Sequence, residues 1–176
     1  MEGSGGRLYG EGAGAEDGID GAKKTERAIE VRAATAADEA AVLRLIEELF
    51  EPPGVHPPNY TSERGREGFR HCLDRPGADV LLAFDGEEAI GLASVYLDPP
   101  FIRFGRRCWL EDLVVTSTRR SGGVGAALIA AAREWAQERD CTHLELSSGP
   151  GRADAHRFYL SQGMAESKTF TLDWGT

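Results

Sequence analysis

The segment that most constrains the fold runs from Leu113 to Ala126, where an apolar strand is followed by a basic, glycine-rich turn and then by a helix. This order places several backbone N–H groups and the positive end of a helix dipole around one point. Glycines at 122, 123 and 125 allow a ligand to approach the backbone closely. The segment therefore predicts an anion site, best suited to a phosphate or pyrophosphate.

Two common phosphate-binding motifs are absent from this segment. No Lys-Ser or Lys-Thr follows the glycines, as a P-loop requires, and the G-x-G-x-x-G dinucleotide fingerprint is missing. The segment instead contains Arg120-x-x-Gly123-x-Gly125, which begins five residues after Val115. The alternative interpretation is a glycine-rich helix start that binds no cofactor.

Alternating and helical hydrophobic patterns predict a mixed α/β domain around one sheet. The folded part begins at Ile29, and the predicted order is β-α-α-β-β-β-α-β-α-β with the last strand over 170–174. Thr35 and Asp38 have the spacing of a capping box before the first helix. Asp85-Gly86 is a turn signal between two predicted strands.

Residues 1–28 form a separate block rich in glycine and acidic residues. Few of them can pack, so we expect a disordered tail before a single domain over 29–176. The N-terminus lacks a secretory signal pattern, and no apolar run is long enough to span a bilayer. A cytoplasmic protein without membrane contact is therefore expected.

The formal net charge is −9 at pH 7, which argues against nucleic-acid binding because phosphates attract basic surfaces. The charge is compatible with a cationic acceptor and equally with a role in solubility. Three widely spaced cysteines, Cys72, Cys108 and Cys141, predict neither a disulfide nor a metal site.

A second motif is Ala155-His156-Arg157-Phe158-Tyr159 followed by Gly163. It resembles the A-x-x-F-Y-x-x-x-G helix of the GCN5-related N-acetyltransferases, and Arg120-x-x-Gly123-x-Gly125 resembles their coenzyme A pyrophosphate loop. The resemblance covers about residues 29–174. Within it, residues 152–159 are similar to the branch that includes aminoalkylphosphonate acetyltransferases.

The resemblance implies a mixed central sheet whose fourth and fifth strands splay apart around the pantetheine arm of acetyl-coenzyme A. It places this arm on the end of strand four and the pyrophosphate on the amides of 120–126. Arg152 stands where many relatives have asparagine, and it pairs either with coenzyme A phosphates or with Asp154. The residues assigned to the cofactor are Leu113, Val114, Val115, Arg120, Ser121, Gly122, Gly123, Val124, Gly125, Ala126 and Arg152.

The resemblance also implies that Tyr159 is the general acid, because the motif tyrosine lies near the coenzyme A sulfur. A structural hydrogen bond is the alternative role for this hydroxyl. Glu111 is predicted to be the base, through a water, and Asp112 is the alternative, since adjacent strand residues face opposite sides. Trp109 occupies the position at which many relatives carry a carboxylate.

The predicted reaction is transfer of an acetyl group from acetyl-coenzyme A to the amine of a small molecule, by direct attack in a ternary complex. A protein N-terminal or lysine acetyltransferase and a non-catalytic acyl-coenzyme A binding module are the alternatives. Dimers are common among such enzymes, so a homodimer is one possible oligomeric state of this chain.

Two groups of basic residues lie in the variable segments expected to meet the acceptor. Arg103, Arg106 and Arg107 are predicted in a hairpin loop, where they either contact an anionic group of the acceptor or are solvated. His56 and His71 either contact the acceptor or lie at the surface.

Overall fold

The structure is a computed structural model, and it describes residues 29–100, 102 and 105–168. The described residues form one five-stranded sheet with the order β1-β2-β3-β4-β5. The strands are β1 (Glu30–Ala33), β2 (Ala78–Asp85), β3 (Glu88–Leu97), β4 (Arg107–Val115) and β5 (His143–Leu146). Neighbouring strands are antiparallel, except that β4 and β5 are parallel. The predicted mixed α/β fold is confirmed.

In the part of the chain that the structure describes, four α-helices accompany the sheet: α1 (Glu39–Phe50), α2 (Ser62–Asp74), α3 (Val124–Gln137) and α4 (Ala153–Ser161). The order of elements through α4 is the predicted one. None of these helices is long and apolar enough to cross a membrane. The predicted tail over 1–28, Arg103 and the predicted strand over 170–174 lie outside the described residues.

Each face of the sheet has its own hydrophobic core. On one face α3 packs through Leu128, Ala132 and Trp135 against strand residues such as Ile90 and Leu110. On the other face α1 and α2 pack against the remaining strand residues, which include Leu82, Leu92 and Val114. The strands β2 and β3 are apolar on both faces because both faces are covered.

The predicted capping box is present where the chain leaves β1. The Thr35 N–H donates to Asp38 Oδ2 over 2.8 Å, and the Thr35 hydroxyl donates to the same oxygen over 2.9 Å. Arg32 binds the Asp38 carboxylate with two nitrogens. A short 3-10 turn over Ala36–Asp38 therefore precedes α1.

Two predicted boundaries are wrong by a residue or two. Asp85 pairs with Glu88, so the turn between β2 and β3 is Gly86-Glu87 rather than Asp85-Gly86. Arg107 belongs to β4 rather than to the loop before it. Its guanidinium binds Asp98 and Glu145, because two carboxylates lie on the neighbouring chain segments. Arg107 is therefore neither a solvated loop residue nor an uncompensated cation.

A β-bulge in β4 changes which side chains face each core. Asp112 pairs with Ser94 and Leu110 pairs with Val95, so Glu111 has no partner on β3. Leu110 packs on the α3 side before the bulge, and Leu113 packs on that side after it. The extra residue thus reverses the alternation of the strand and turns Glu111 outward.

The strands β4 and β5 separate in the second half of β4. Their pairing ends at Leu110 and Leu146, whereas β4 continues to Val115. From Glu111 onward the edge of β4 that faces β5 has no strand partner within 105–168. The splayed sheet implied by the resemblance is therefore present, and this edge of β4 faces the gap without a neighbouring strand.

Candidate active site

A cavity of about 520 Å³ opens where β4 and β5 separate. The strand β4 lines it with Leu110, Glu111 and Leu113, and the segment 146–152 after β5 forms a second wall. Tyr159 of α4 and residues at and after the end of α1 complete the lining. The cavity brings together four residues that the sequence predicts for the site, namely Glu111, Leu113, Arg152 and Tyr159.

The predicted pyrophosphate loop lies beyond this cavity, between the end of β4 and the start of α3. The first helical hydrogen bond of α3 joins the Ala127 N–H to the Gly123 carbonyl, so the N–H groups of 124–126 have no partner within the helix. Arg120 Nε donates to the Val115 carbonyl over 3.2 Å and fixes the turn to the strand. The loop therefore presents amides and the positive end of α3 to an anion.

Gly123 has a backbone φ of +82°, the left-handed conformation that glycine adopts without strain. A Cβ built at Gly123 meets nothing within 4 Å, so a ligand has room against this backbone. From Val115 to Glu111 the strand extends about 13 Å at its usual rise per residue. An extended ligand arm of that length, laid along β4, would join the loop to the cavity. The loop and the strand edge thus fit the pyrophosphate and the arm of coenzyme A.

Gly125 has a packing role that the motif alone does not show. A Cβ at this position lies 3.1 Å from Cζ of Phe158, which is closer than side chains normally approach. The two motifs therefore touch each other, because Gly125 lets α4 pack against the start of α3. The sequence carries both residues, but their contact depends on the fold.

Tyr159 lies in the cavity with most of its side chain buried. Burial raises the pKa of its hydroxyl above the usual value, and the nearby Arg152 offsets part of this effect. The hydroxyl is therefore protonated at neutral pH and is available as a donor to a group in the cavity.

The two candidate bases are in different environments. Glu111 lines the cavity, and its Oε2 accepts a hydrogen bond of 2.6 Å from the Trp109 indole N–H. Asp112 does not line the cavity, and its Oδ2 accepts a hydrogen bond of 2.6 Å from Ser94. Burial raises the pKa of Asp112, and the Ser94 hydroxyl opposes that rise. Of these two carboxylates, Glu111 lines the cavity that Tyr159 also lines, and Asp112 does not.

Arg152 reaches across the mouth of the cavity toward α1, where its Nη2 lies 3.4 Å from the Leu49 carbonyl. Asp154, the alternative partner expected from the sequence, pairs with Arg157 instead. Arg152 forms no ion pair with any other described residue. It is thus a cation available to a ligand.

Ser148 is a lining residue that the sequence analysis missed. Its hydroxyl oxygen is buried and has no hydrogen-bond partner among the described residues. A buried hydroxyl without a hydrogen bond is unfavourable, so the Ser148 hydroxyl can form a hydrogen bond with a polar ligand group in the cavity. No local motif marks this serine, because its burial depends on the separation of the two strands.

The remaining sequence candidates lie elsewhere. His56 stacks edge-on against Phe50 and Tyr60, with ring centroids 5.1 and 5.5 Å away, beside a second cavity of about 400 Å³. His71 lies in the last turn of α2. Arg106 donates to the Arg139 carbonyl over 3.0 Å. Within the described residues no cluster of His, Cys, Asp and Glu has the arrangement of a metal site.

These features define a class of protein: a mixed α/β domain in which two parallel strands separate beside a cavity and a helix N-terminus that can bind an anion. The family model of the acetyltransferase (GNAT) family matches residues 40–164, and the chain belongs to this family. The chain is thus an acetyl-coenzyme A-dependent N-acetyltransferase, which transfers an acetyl group to an amine.

Two characterised relatives are similar in sequence. An aminoalkylphosphonate N-acetyltransferase from Salmonella typhimurium is 32% identical over 141 residues, which are 78% of this chain and 86% of that protein. An aminoglycoside N(6')-acetyltransferase type 1 from Klebsiella aerogenes is 29% identical over 98 residues, which are 52% of this chain and 62% of that protein.

Solved structures share the fold. A putative acetyltransferase from Agrobacterium tumefaciens superposes with a TM-score of 0.71 at 26% identity, over 84% of this chain and 100% of the other. The aminoglycoside N-acetyltransferase AAC(6')-Iy, solved in complex with coenzyme A, superposes with a TM-score of 0.74 at 16% identity, over 84% of this chain and 95% of the other.

Proposed function

We propose that this enzyme acetylates the primary amine of a small molecule by direct attack on acetyl-coenzyme A in a ternary complex. The observation that supports this most is the single cavity into which Glu111 and Tyr159 project from different walls. One wall offers a carboxylate to accept a proton, and the other offers a tyrosine hydroxyl, whose pKa is raised further by burial.

In the proposed step the amine nitrogen attacks the thioester carbonyl carbon. The new C–N bond forms, the C–S bond breaks, and the electron pair leaves on sulfur. Glu111 takes the proton lost by the amine, directly or through a water, and Tyr159 donates a proton to the thiolate. An aliphatic ammonium has a pKa of about 10.4, so at neutral pH the acceptor amine needs help to lose its proton. The thiol of coenzyme A has a pKa of about 8.5, so its thiolate leaves more readily. The base, Glu111, therefore matters more to the rate than the acid, Tyr159.

The cysteines support direct attack over an acetyl-cysteine route. Cys108 is buried, and burial raises its pKa to about 12. Burial also raises the pKa values of Cys72 and Cys141. A thiolate is the nucleophilic form, and none of the three cysteines lines the cavity.

For the cofactor we propose that the amides of 120–126 bind the pyrophosphate and that the backbone of Leu113, Val114 and Val115 binds the pantetheine arm. Arg152 then pairs with a phosphate or carbonyl oxygen of coenzyme A, because no described carboxylate neutralises it. The open backbone at Gly123 and the unpaired edge of β4 support this placement.

The names of the relatives support a small-molecule acceptor, since one is named for aminoalkylphosphonates and the other for aminoglycosides. The test follows free-thiol release from acetyl-coenzyme A with small primary amines and with peptides that have free N-termini or lysines. Turnover with small amines alone supports the proposal, whereas turnover with peptides alone makes the enzyme a protein acetyltransferase. Binding of acetyl-coenzyme A without any thiol release makes it a binding module. Sedimentation of the same sample tests the homodimer.

A further inference from the structure

Glu111 has no strand partner on either side among the described residues. The β-bulge leaves it without a register partner on β3, and the pairing of β4 with β5 ends one residue earlier, at Leu110. A carboxylate on such a residue can move unless other contacts fix it, whereas proton transfer requires a base within hydrogen-bond reach of the amine. Two contacts fix Glu111, one through the residue that follows it and one through its own carboxylate.

The first contact is a reciprocal pair of hydrogen bonds between Ser94 and Asp112. The Ser94 hydroxyl donates to Asp112 Oδ2 over 2.6 Å, and the Asp112 N–H donates to Ser94 Oγ over 3.0 Å. Ser94 and Asp112 are also register partners. The two bonds join one hydroxyl of β3 to both the backbone and the side chain of β4, so they fix the residue that directly follows Glu111.

This pair of bonds favours one of two possible positions of the bulge. Leu110 and Leu113 both pack on the α3 side, so one of the two residues between them must be the extra residue of the strand. If the bulge moved by one residue, Glu111 would pair with Ser94 and Asp112 would be the unpaired residue. Because the Ser94 hydroxyl binds the carboxylate of Asp112, it stabilises the register in which Glu111 lines the cavity.

The second contact is the hydrogen bond of 2.6 Å from the Trp109 indole N–H to Glu111 Oε2. Trp109 is a good anchor, because β4 is paired on both sides at this residue, with Tyr96 on β3 and with Glu145 on β5. A hydrogen bond on one oxygen also sets the orientation of the whole carboxylate. The second oxygen, Oε1, is left for the proton of the amine.

We propose that Ser94 and Trp109 are positioning residues for the base Glu111. Ser94 holds the bulge, so that Glu111 rather than Asp112 projects into the cavity, and Trp109 orients the carboxylate there. The inference rests on the proposed function, because it takes Glu111 as the base. A misplacement of about 1 Å can cost on the order of 10²-fold in rate, so contacts that touch neither substrate nor cofactor can still control turnover.

The test for Trp109 is the variant Trp109→Phe, which keeps an aromatic ring and removes the indole N–H. We expect a loss of about tenfold in kcat/KM near pH 7, measured by thiol release from acetyl-coenzyme A with the fastest small primary amine of the screen above. The Kd of acetyl-coenzyme A should not change. The loss should shrink as the pH approaches the amine pKa of about 10.4, where the amine no longer needs the base.

A double-mutant cycle separates positioning from a structural role. Once Glu111→Gln has removed the base, Trp109→Phe has no base left to misplace and should cause no further loss, because residues that act as a unit are not additive. A structural role for Trp109 would instead cost the same factor in both backgrounds. The matched control is Trp135→Phe, since the Trp135 indole N–H also donates to a carboxylate, that of Asp79, over 2.8 Å but outside the cavity. It should lower Tm and leave kcat/KM per folded molecule unchanged.

The test for Ser94 uses a variant that avoids an unpaired buried carboxylate. Ser94→Ala alone leaves Asp112 without its donor, which endangers the fold. Ser94→Ala/Asp112→Leu removes both polar partners together, so it should fold, and we expect about a tenfold loss in kcat/KM that vanishes in the Glu111→Gln background. Asp112→Asn keeps an acceptor for the Ser94 hydroxyl and should retain most of the activity, as should Ser94→Thr, which keeps the hydroxyl.

Two kinds of failure are distinguishable. Wild-type kcat/KM in folded Trp109→Phe and Ser94→Ala/Asp112→Leu overturns the inference, as do losses that persist unchanged in the Glu111→Gln background. Both outcomes leave the proposed function standing. Wild-type activity of Glu111→Gln itself overturns the base assignment in the proposed function and with it this inference.

Discussion

At the scale of single residues, Tyr159 has a hydroxyl whose pKa is raised above the usual value by burial. Tyr159→Phe keeps the ring and its packing, so the fold should survive. General acid catalysis contributes about 10²–10⁴-fold, and the thiolate is already a fair leaving group, so we expect a loss on the order of 10²-fold in kcat. The affinity for acetyl-coenzyme A should change little. Since burial raises the pKa of Tyr159, wild-type turnover should not fall through loss of this proton below about pH 10.

Tyr60→Phe is the matched control for this variant. The Tyr60 hydroxyl is also buried, but it has no hydrogen-bond partner among the described residues and lies outside the main cavity. Removing an unpartnered hydroxyl is close to neutral, so both turnover and Tm should be retained. If Tyr159→Phe turns over as fast as wild type, a water rather than Tyr159 protonates the thiolate.

Glu111→Gln tests the base by the pH dependence of its defect. Near pH 7 almost all of an aliphatic amine is protonated, and we expect a loss of at least about 10²-fold in kcat/KM. As the pH approaches the amine pKa of about 10.4, the free amine no longer needs a base, so the loss should shrink. Asp112→Asn measured over the same range discriminates the two carboxylates. If the loss of kcat/KM is seen only in Asp112→Asn and decreases as the pH rises, Asp112 is the base.

At the scale of elements, local sequence predicts most of the strands and helices but not the bulge. The capping box at Thr35 and the apolar stripe of α3 are local signals, and both are present. The bulge at Glu111 arises because β3 and β4 pair with unequal numbers of residues, and nothing in Leu110-Glu111-Asp112 records that mismatch. The sequence therefore left Glu111 and Asp112 as alternatives, and the register of β4 places only Glu111 in the cavity.

Gly123, in the loop between β4 and α3, can be compared with Gly68 in α2 as a control. A Cβ atom added at either glycine would lie more than 4 Å from its neighbours, so the two positions differ in backbone conformation rather than in available space. Gly123→Ala forces alanine into the left-handed region at a cost of about 1–2 kcal/mol. The loop should shift to relieve this, misplacing its amides and raising the Kd of acetyl-coenzyme A by roughly fivefold, or about 1 kcal/mol.

Gly68→Ala introduces the same methyl group into an exposed position of α2. It should stabilise the fold by about 0.5–1 kcal/mol and leave the Kd unchanged. Calorimetric titration with acetyl-coenzyme A gives both values. An unchanged Kd in Gly123→Ala would show that the amides of 120–126 do not bind the pyrophosphate.

At the scale of the whole molecule, the sequence motifs predict the family, but the sheet determines the site. The parallel pairing of β4 and β5 is the usual result of a strand–helix–strand crossover through α3. How far the pairing extends, and hence where the cavity opens, depends on packing against both cores. Ser148 escaped prediction for this reason, since it lines a cavity whose walls come from segments distant in sequence.

If coenzyme A binds along the unpaired edge of β4, as proposed, the stability of the whole domain depends on this ligand. A ligand that binds the native state and not the unfolded chain stabilises it by RT ln(1 + [L]/Kd). At a ligand concentration of 100 Kd this is about 2.7 kcal/mol, or roughly 5–10 °C in Tm for a chain of this size. We expect that shift with acetyl-coenzyme A and with coenzyme A in a thermal melt, and a smaller one with 3'-phosphoadenosine 5'-diphosphate at the same concentration, because this ligand has the pyrophosphate but lacks the arm. Equal shifts with all three would mean that the arm contributes nothing to binding and that the gap between the strands is not its site.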